Sequence, residues 1–222
     1  MGRDIPRIRA VCFDVDGTLS DTDDRWVQAA ARMLRPLGAR RAQRLARRLV
    51  MGLETPGNWV YGALDRLHLD DEILRTMHFV QRWGKDRSGR FTLVPGVYGM
   101  LTRIGRQMPL AVVSARGEQA TLAFLEQFNL RGNFRAVATA LTCAYTKPFP
   151  DPLLWAAAQM GVAPQDCLMV GDTTVDIRTG KAAGAQTVGV LCGFGGENEL
   201  RRAGAGLILE STAELAAALG IQ

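Results

Sequence analysis

Asp14-Val15-Asp16-Gly17-Thr18 follows the apolar run Ala10-Val11-Cys12-Phe13, and a second acidic cluster, Gly171-Asp172-Thr173-Thr174-Val175-Asp176, follows Cys167-Leu168-Met169-Val170. Short apolar runs that stop at Gly and Asp read as buried parallel strands, so both clusters are expected at strand ends. In open α/β sheets that carboxyl edge is where ligands bind. Asp14 and Asp16 stand two positions apart, which in extended backbone points both side chains the same way. Like charges held that close repel, so a metal ion, a shared proton, or both must be present.

Two further residues with chemical capacity stand at the ends of predicted strands: Ser114 after Leu110-Ala111-Val112-Val113, and Lys147 in Tyr145-Thr146-Lys147-Pro148. Each of these features also has a plain structural reading. A Ser after a strand caps a helix, a Lys before Pro sits in a solvated loop, and the acids of G-D-x-x-x-D cap helices. Their order along the chain is what makes them informative together.

The elements that must hold these residues follow from periodicity. From Pro95 onward helix and buried strand alternate: helices are predicted over 97–107, 119–128, 152–160, 176–183 and 212–219, and strands over 110–113, 136–140, 167–170, 186–190 and 207–209. This is βαβ rhythm, and it predicts an α/β fold with a Rossmann-like three-layer core and a mainly parallel sheet. Between the first strand and Phe91 the pattern is helical instead. Trp26, Ala30, Met33 and Leu37 share one face, and helices are expected over 23–37, 40–51, 58–67 and 70–83. The first strand has no partner before this stretch, so the helices are expected as a small cap inserted after it. The expected division is a core of 1–19 and 93–222 and a helical cap of 20–92, with the polar run 85–90 as a hinge.

Composition excludes several function classes. The chain of 222 residues is 47% hydrophobic and 22% charged, an ordinary globule with one sizeable core. Its net charge of +5 is arginine-heavy, since only Lys85, Lys147 and Lys181 are lysines, and the arginines from Arg32 to Arg48 spread around a predicted helix without interleaved aromatics. That is a solvated basic face, and no nucleic-acid partner is expected. No stretch approaches the ~20 apolar residues of a membrane span. Arg3, Arg7 and Arg9 precede a strand instead of a signal sequence, so a cytoplasmic location is expected. Cys12, Cys143, Cys167 and Cys192 form no C-x-x-C pair and read as reduced, small hydrophobes. With only His68 and His78 present, any metal should be a hard, oxygen-liking ion. A calcium loop is excluded because its sixth and twelfth positions would be Leu19 and Arg25, not Gly and Glu.

In combination, Asp14-Val15-Asp16-Gly17-Thr18, Ser114, Lys147 and Gly171-Asp172 through Asp176 resemble the four motifs of the haloacid dehalogenase superfamily of phosphohydrolases. Pro95-Gly96-Val97, the run from Lys147 to Pro152, Ala182-Ala183-Gly184-Ala185 and Gly193-Phe194-Gly195 extend the likeness to phosphoglycolate-phosphatase-like members over essentially the whole chain. The insert is similar to that superfamily's first cap class.

The resemblance implies a Mg2+-dependent phosphatase. Asp14 would be the nucleophile that forms an aspartyl-phosphate, and Asp16 the general acid and base. Mg2+ would be held by Asp14, the backbone carbonyl of Asp16 and Asp172, with Asp176 behind them orienting a water or Lys147. Lys147, Ser114, Thr18 and backbone N–H groups near Gly17 would receive the substrate phosphate, and Thr18 would orient Asp16 or cap the turn. Asp16 argues against dehalogenase chemistry, where an aromatic residue replaces it, and Trp26 and Thr18 argue against a β-phosphoglucomutase-like phosphotransferase. That mutase and a non-catalytic phosphate-binding or partner-binding module are the competing readings. The implied partner is a small phosphorylated metabolite such as phosphoglycolate, a sugar phosphate or a nucleotide, acted on by a monomer or homodimer.

Overall fold

Six short strands, all parallel, lie in the order β3-β2-β1-β4-β5-β6. They are β1 (Ala10–Phe13), β2 (Leu110–Val113), β3 (Ala136–Ala138), β4 (Cys167–Gly171), β5 (Gln186–Val190) and β6 (Leu207–Leu209). The computed structural model describes residues 8–21 and 91–221. The chain divides into two units, Met1–Thr22 with Asp86–Gln222, and Asp23–Lys85. The four helices expected between 23 and 83 lie outside the described residues.

The connecting helices, numbered among the described residues, are α1 (Val97–Gly105), α2 (Glu118–Gln127), α3 (Asp151–Met160), α4 (Thr174–Ala182), α5 (Glu197–Ala203) and α6 (Leu215–Ala218). The two faces of the sheet carry different side chains. Val11, Phe13, Leu110, Val112, Val170 and Val188 fill one face with Met100, Ile104, Phe124 and Leu215 from α1, α2 and α6. The other face is lined by Ala10, Cys12, Ala111, Ala136 and Ala138, against which Leu153, Ala156 and Ala157 of α3 pack. Small residues on both sides let that helix approach closely, and α4 does the same through Gly180, where an added Cβ would lie 2.9 Å from the Met169 Cβ. The expected three-layer α/β core is thus observed.

The strand order places β1 between β2 and β4, the point where connections run off in opposite directions and a crevice opens at the carboxyl edge. Register completes the alignment. Phe13 is level with Val112 on one side and Val170 on the other. Continuing one step brings Asp14 beside Val113 and Gly171, so the segments carrying Ser114 and Asp172 leave the sheet next to it.

Three departures from the sequence expectations have local causes. Strand β3 stops at Ala138, because the Thr139 N–H donates to Thr142 Oγ1 at 2.8 Å and turns the chain out of the sheet. Helix α5 has a single buried apolar residue, Leu200, so hydrophobic periodicity does not reveal it. The Gly196 N–H donating to Glu199 Oε2 at 3.3 Å and the Glu197–Arg201 pair support it instead. The final helix opens as a 3-10 turn, Thr212–Glu214, capped by the Ser211 hydroxyl. Cys12, Cys143, Cys167 and Cys192 are unpaired, as expected. No described helix is long and apolar enough to cross a membrane.

Ile104 of α1 is fully buried in the face shared with α2 and α6. Ile104→Ala should lower the unfolding free energy by about 2–5 kcal/mol, measured by urea denaturation.

Candidate active site

Asp14 leaves β1 with its N–H on the Val170 carbonyl at 2.9 Å, and its Oδ1 accepts a hydrogen bond from Lys147 Nζ at 2.6 Å. The same ammonium donates to Asp176 Oδ1 at 2.6 Å. Lys147 therefore bridges two carboxylates, and all three residues are buried. The position of Lys147 corrects one expectation: it does not stand at a strand end but in the loop between Ala138 and Asp151. The other oxygen of Asp176 accepts from the Thr173 N–H at 3.0 Å and the Thr173 hydroxyl at 2.6 Å. This capping box starts α4 at Thr174, two residues before the sequence expectation, and fixes Asp176 in the helix's first turn.

Asp172, fully buried, accepts from Thr18 Oγ1 at 3.1 Å on one oxygen and from the Phe194 N–H at 2.7 Å on the other. Three glycines leave room for it. A Cβ at Gly17, Gly193 or Gly195 would lie 2.3, 2.1 or 2.0 Å from an Asp172 atom. Gly17 also needs its freedom for a φ of 75°.

These contacts engage two of the donors expected to meet the phosphate. The one hydroxyl proton of Thr18 is given to Asp172. The Gly17 N–H donates to the Ser20 carbonyl at 2.9 Å. Ser114 keeps its donor: its N–H bonds to the Ala138 carbonyl at 2.9 Å and its Oγ accepts from the Arg116 N–H at 3.1 Å, leaving the hydroxyl proton to be given elsewhere.

Asp16 reveals a residue that sequence reasoning missed. Arg116 Nε donates to Asp16 Oδ2 at 3.0 Å and Nη2 donates to Oδ1, a two-pronged ion pair. Arg116 lies two positions after Ser114, but in a chain this rich in arginine nothing sets it apart. Phe194 was also missed, although the glycines flanking it were a signal of close backbone approach.

One carboxylate oxygen from each of Asp14, Asp172 and Asp176 lies within 4.8 Å of the other two. With all three ionised, Lys147 alone leaves two negative charges uncompensated. The consequence is visible in both partners of the Asp14–Lys147 pair. The Asp14 carboxyl is pushed up to about 7, because burial and, less strongly, Asp176 and Asp16 outweigh the pull of Lys147 in the other direction. Asp172 is raised well above the carboxylate range by burial first and then by Asp176 and Asp14. Burial opposes the Lys147 charge, yet the two carboxylates outweigh burial and hold its ammonium well above the ordinary lysine range. Both partners move up because the lysine faces two anions while Asp14 faces one cation and several anions. A hard divalent cation fits this donor set, since it takes oxygen ligands and cancels the excess charge.

A sequence profile of the haloacid dehalogenase-like hydrolases matches residues 11–190. The chain belongs to that family. A phosphoglycolate phosphatase of Chromobacterium violaceum is 31% identical over 95% of this chain and 96% of that protein. A phosphoglycolate phosphatase of Escherichia coli K12 is 30% identical over 96% of this chain and 93% of its own length. Among solved structures, a putative β-phosphoglucomutase from Thermotoga maritima shares the fold, with a TM-score of 0.63 at 21% identity over 96% of this hydrolase and 99% of that chain.

Two outcomes follow from this charge balance. Asp14 binds its proton near 3.8 when unexposed to these neighbours and near 7 in the fold, so between those values the folded state carries more protons. Its contribution to stability is present below 3.8 and lost as pH rises through about 7. Calorimetry in EDTA should show the melting temperature falling across that window, and an added hard divalent cation should restore it most at the alkaline end. Gly193→Ala should weaken binding of that cation about 10–100-fold by titration calorimetry, as displaced supports of metal ligands do. Gly132→Ala, where a Cβ meets nothing within 4 Å, should leave it unchanged.

Proposed function

We propose that this hydrolase is a Mg2+-dependent phosphatase that cleaves small phosphate monoesters through an aspartyl-phosphate formed on Asp14. Phosphoglycolate-like, sugar and nucleotide phosphates are the substrate class. The state of Asp14 carries this reading. One of its oxygens is held by Lys147 at 2.6 Å, while the other accepts no hydrogen bond among the described residues and the side chain keeps 8% exposure. A carboxylate oriented through one oxygen and open at the other is arranged as a nucleophile.

In the first half of the reaction an Asp14 oxygen bonds to phosphorus as the ester oxygen leaves, and Asp16 gives that oxygen a proton. In the second half Asp16 takes a proton from a water that attacks the acyl-phosphate, which frees Asp14 and releases inorganic phosphate. A second acid is needed because the nucleophile cannot do both tasks at once. Lys147 and the Ser114 hydroxyl meet the negative charge spread over the phosphoryl oxygens. Asp14, Asp172 and the carbonyl of Asp16 would hold Mg2+, which supplies the charge that lets an anionic carboxylate approach an anionic phosphate. Asp176 stays with Lys147 and fixes its direction. The two phosphoglycolate phosphatases that match nearly end to end support hydrolysis as the net reaction.

Asp14→Asn should abolish turnover with an unchanged circular dichroism spectrum, and acid-quenched wild type should carry one phosphoryl group at Asp14 by mass spectrometry. Brisk hydrolysis with no such adduct at any time point sinks the proposal. Asp16→Asn should cut kcat/KM about 10²–10⁴-fold for alkyl phosphates and far less for p-nitrophenyl phosphate, whose leaving group needs no proton.

A further inference from the structure

We propose that Arg116 is a positioning residue for proton transfer, holding the Asp16 carboxyl in the orientation from which it serves the leaving group and then the water. The inference rests on the acid–base reading of Asp16 given above. Its ground is the way Arg116 is itself immobilised. The Arg116 N–H donates to Ser114 Oγ at 3.1 Å, and its carbonyl accepts from the Ala140 N–H at 3.0 Å, so the backbone is tied to the segments that leave β2 and β3. The guanidinium carbon lies 5.0 Å from the centroid of the Phe91 ring, a cation–π contact.

Phe91 is in turn fixed. Its ring packs edge-on against Phe124 at 5.7 Å, and its carbonyl accepts from Gln127 Nε2 at 3.0 Å. A planar fork fastened at its base and on its face can impose one orientation on a carboxylate, and both Asp16 oxygens are engaged by Nε and Nη2. Asp16 lies past the end of β1 and its side chain keeps 33% exposure, so nothing in the strand itself determines where its carboxyl points.

The chemistry requires such a hold. An acid must sit within hydrogen-bond reach of the atom it serves, and a small misplacement is costly. The proton passes from one Asp16 oxygen to the departing ester oxygen, whose bond to phosphorus breaks. The carboxylate so formed is received by both arms of the fork. It then accepts one proton from the attacking water and returns to its starting form. While one oxygen is protonated, the other keeps its bond to the guanidinium, so the group stays in place through both halves. Arg116 meets the carboxyl of Asp16, not its backbone carbonyl, and in this scheme acts through that carboxyl alone.

The test compares kcat/KM for an alkyl phosphate and for p-nitrophenyl phosphate in Arg116→Ala, Arg116→Lys, Asp16→Asn and the double variant Asp16→Asn/Arg116→Ala. Arg116→Ala should lose about 10–100-fold on the alkyl ester, below the full effect of removing an acid, and only a few-fold on the aryl ester. Arg116→Lys keeps the charge without the fork and should recover part of the loss. It also carries the comparison should the alanine variant fail to fold. The double variant should be no slower than Asp16→Asn, since a residue acting through Asp16 has nothing left to position.

Equal losses on both esters, or losses in the double variant that multiply, overturn the proposal. Asp16→Asn separates the two levels of the argument. Leaving-group bias in Asp16→Asn with none in Arg116→Ala removes the Arg116 role alone, whereas no bias in Asp16→Asn removes the acid reading and this inference with it.

Discussion

Three buried carboxylates around one buried ammonium govern this molecule. Asp14, Asp172 and Asp176 converge because β1 and β4 are neighbours in register, and Lys147 bridges two of them at 2.6 Å. The lysine keeps the cluster from flying apart, but it cannot neutralise it, and burial with the neighbouring acids raises the carboxyls of Asp14 and Asp172 above their ordinary range. An arrangement that retains excess anionic charge under burial is poised for a cation. Removing Lys147 from such a buried set would leave still more uncompensated charge, which costs more than the ion pairs contribute when intact. The site is therefore a constraint that the rest of the fold has to sustain.

The scaffold sustains it by asymmetry between the two faces of the sheet. Large branched and aromatic side chains fill one side, and alanines and cysteines line the other. The close packing of α3 and α4 against the small face brings the start of α4, with the Thr173–Asp176 capping box, to the edge where Asp14 emerges. One acid thus serves twice, as a helix cap and as the anchor of Lys147. The glycines at 17, 193 and 195 perform the complementary task on Asp172, since any side chain there would occupy the space of that residue.

Within the catalytic crevice the neighbouring charges are sorted into two separate systems. Lys147 faces Asp14 and Asp176, while Arg116 faces Asp16. A point-like ammonium suits the first, where it meets two acids from different segments. The planar fork suits the second, where both oxygens of one carboxylate are fixed. This division lets two aspartates two positions apart take different chemical parts.

The core strands were legible in the sequence because strands buried on both faces are written as uninterrupted apolar runs, and the acids that end them are local to those runs. Asp14, Asp16, Ser114, Asp172 and Asp176 could be named on that basis. Lys147 was singled out on the expectation of a strand end that the fold does not contain and by its likeness to a family motif, for it hangs in a loop beyond β3. Helix α5, with one buried apolar side chain, left almost no periodic trace. What the residues' own order could not decide is which polar groups meet: Thr18 with Asp172 across 154 positions, Arg116 with Asp16 across 100, and Phe194 with Asp172 across 22. Burial and alternation are properties of neighbours along the chain, whereas a hydrogen bond between distant segments exists only once the sheet order has placed their strand ends side by side.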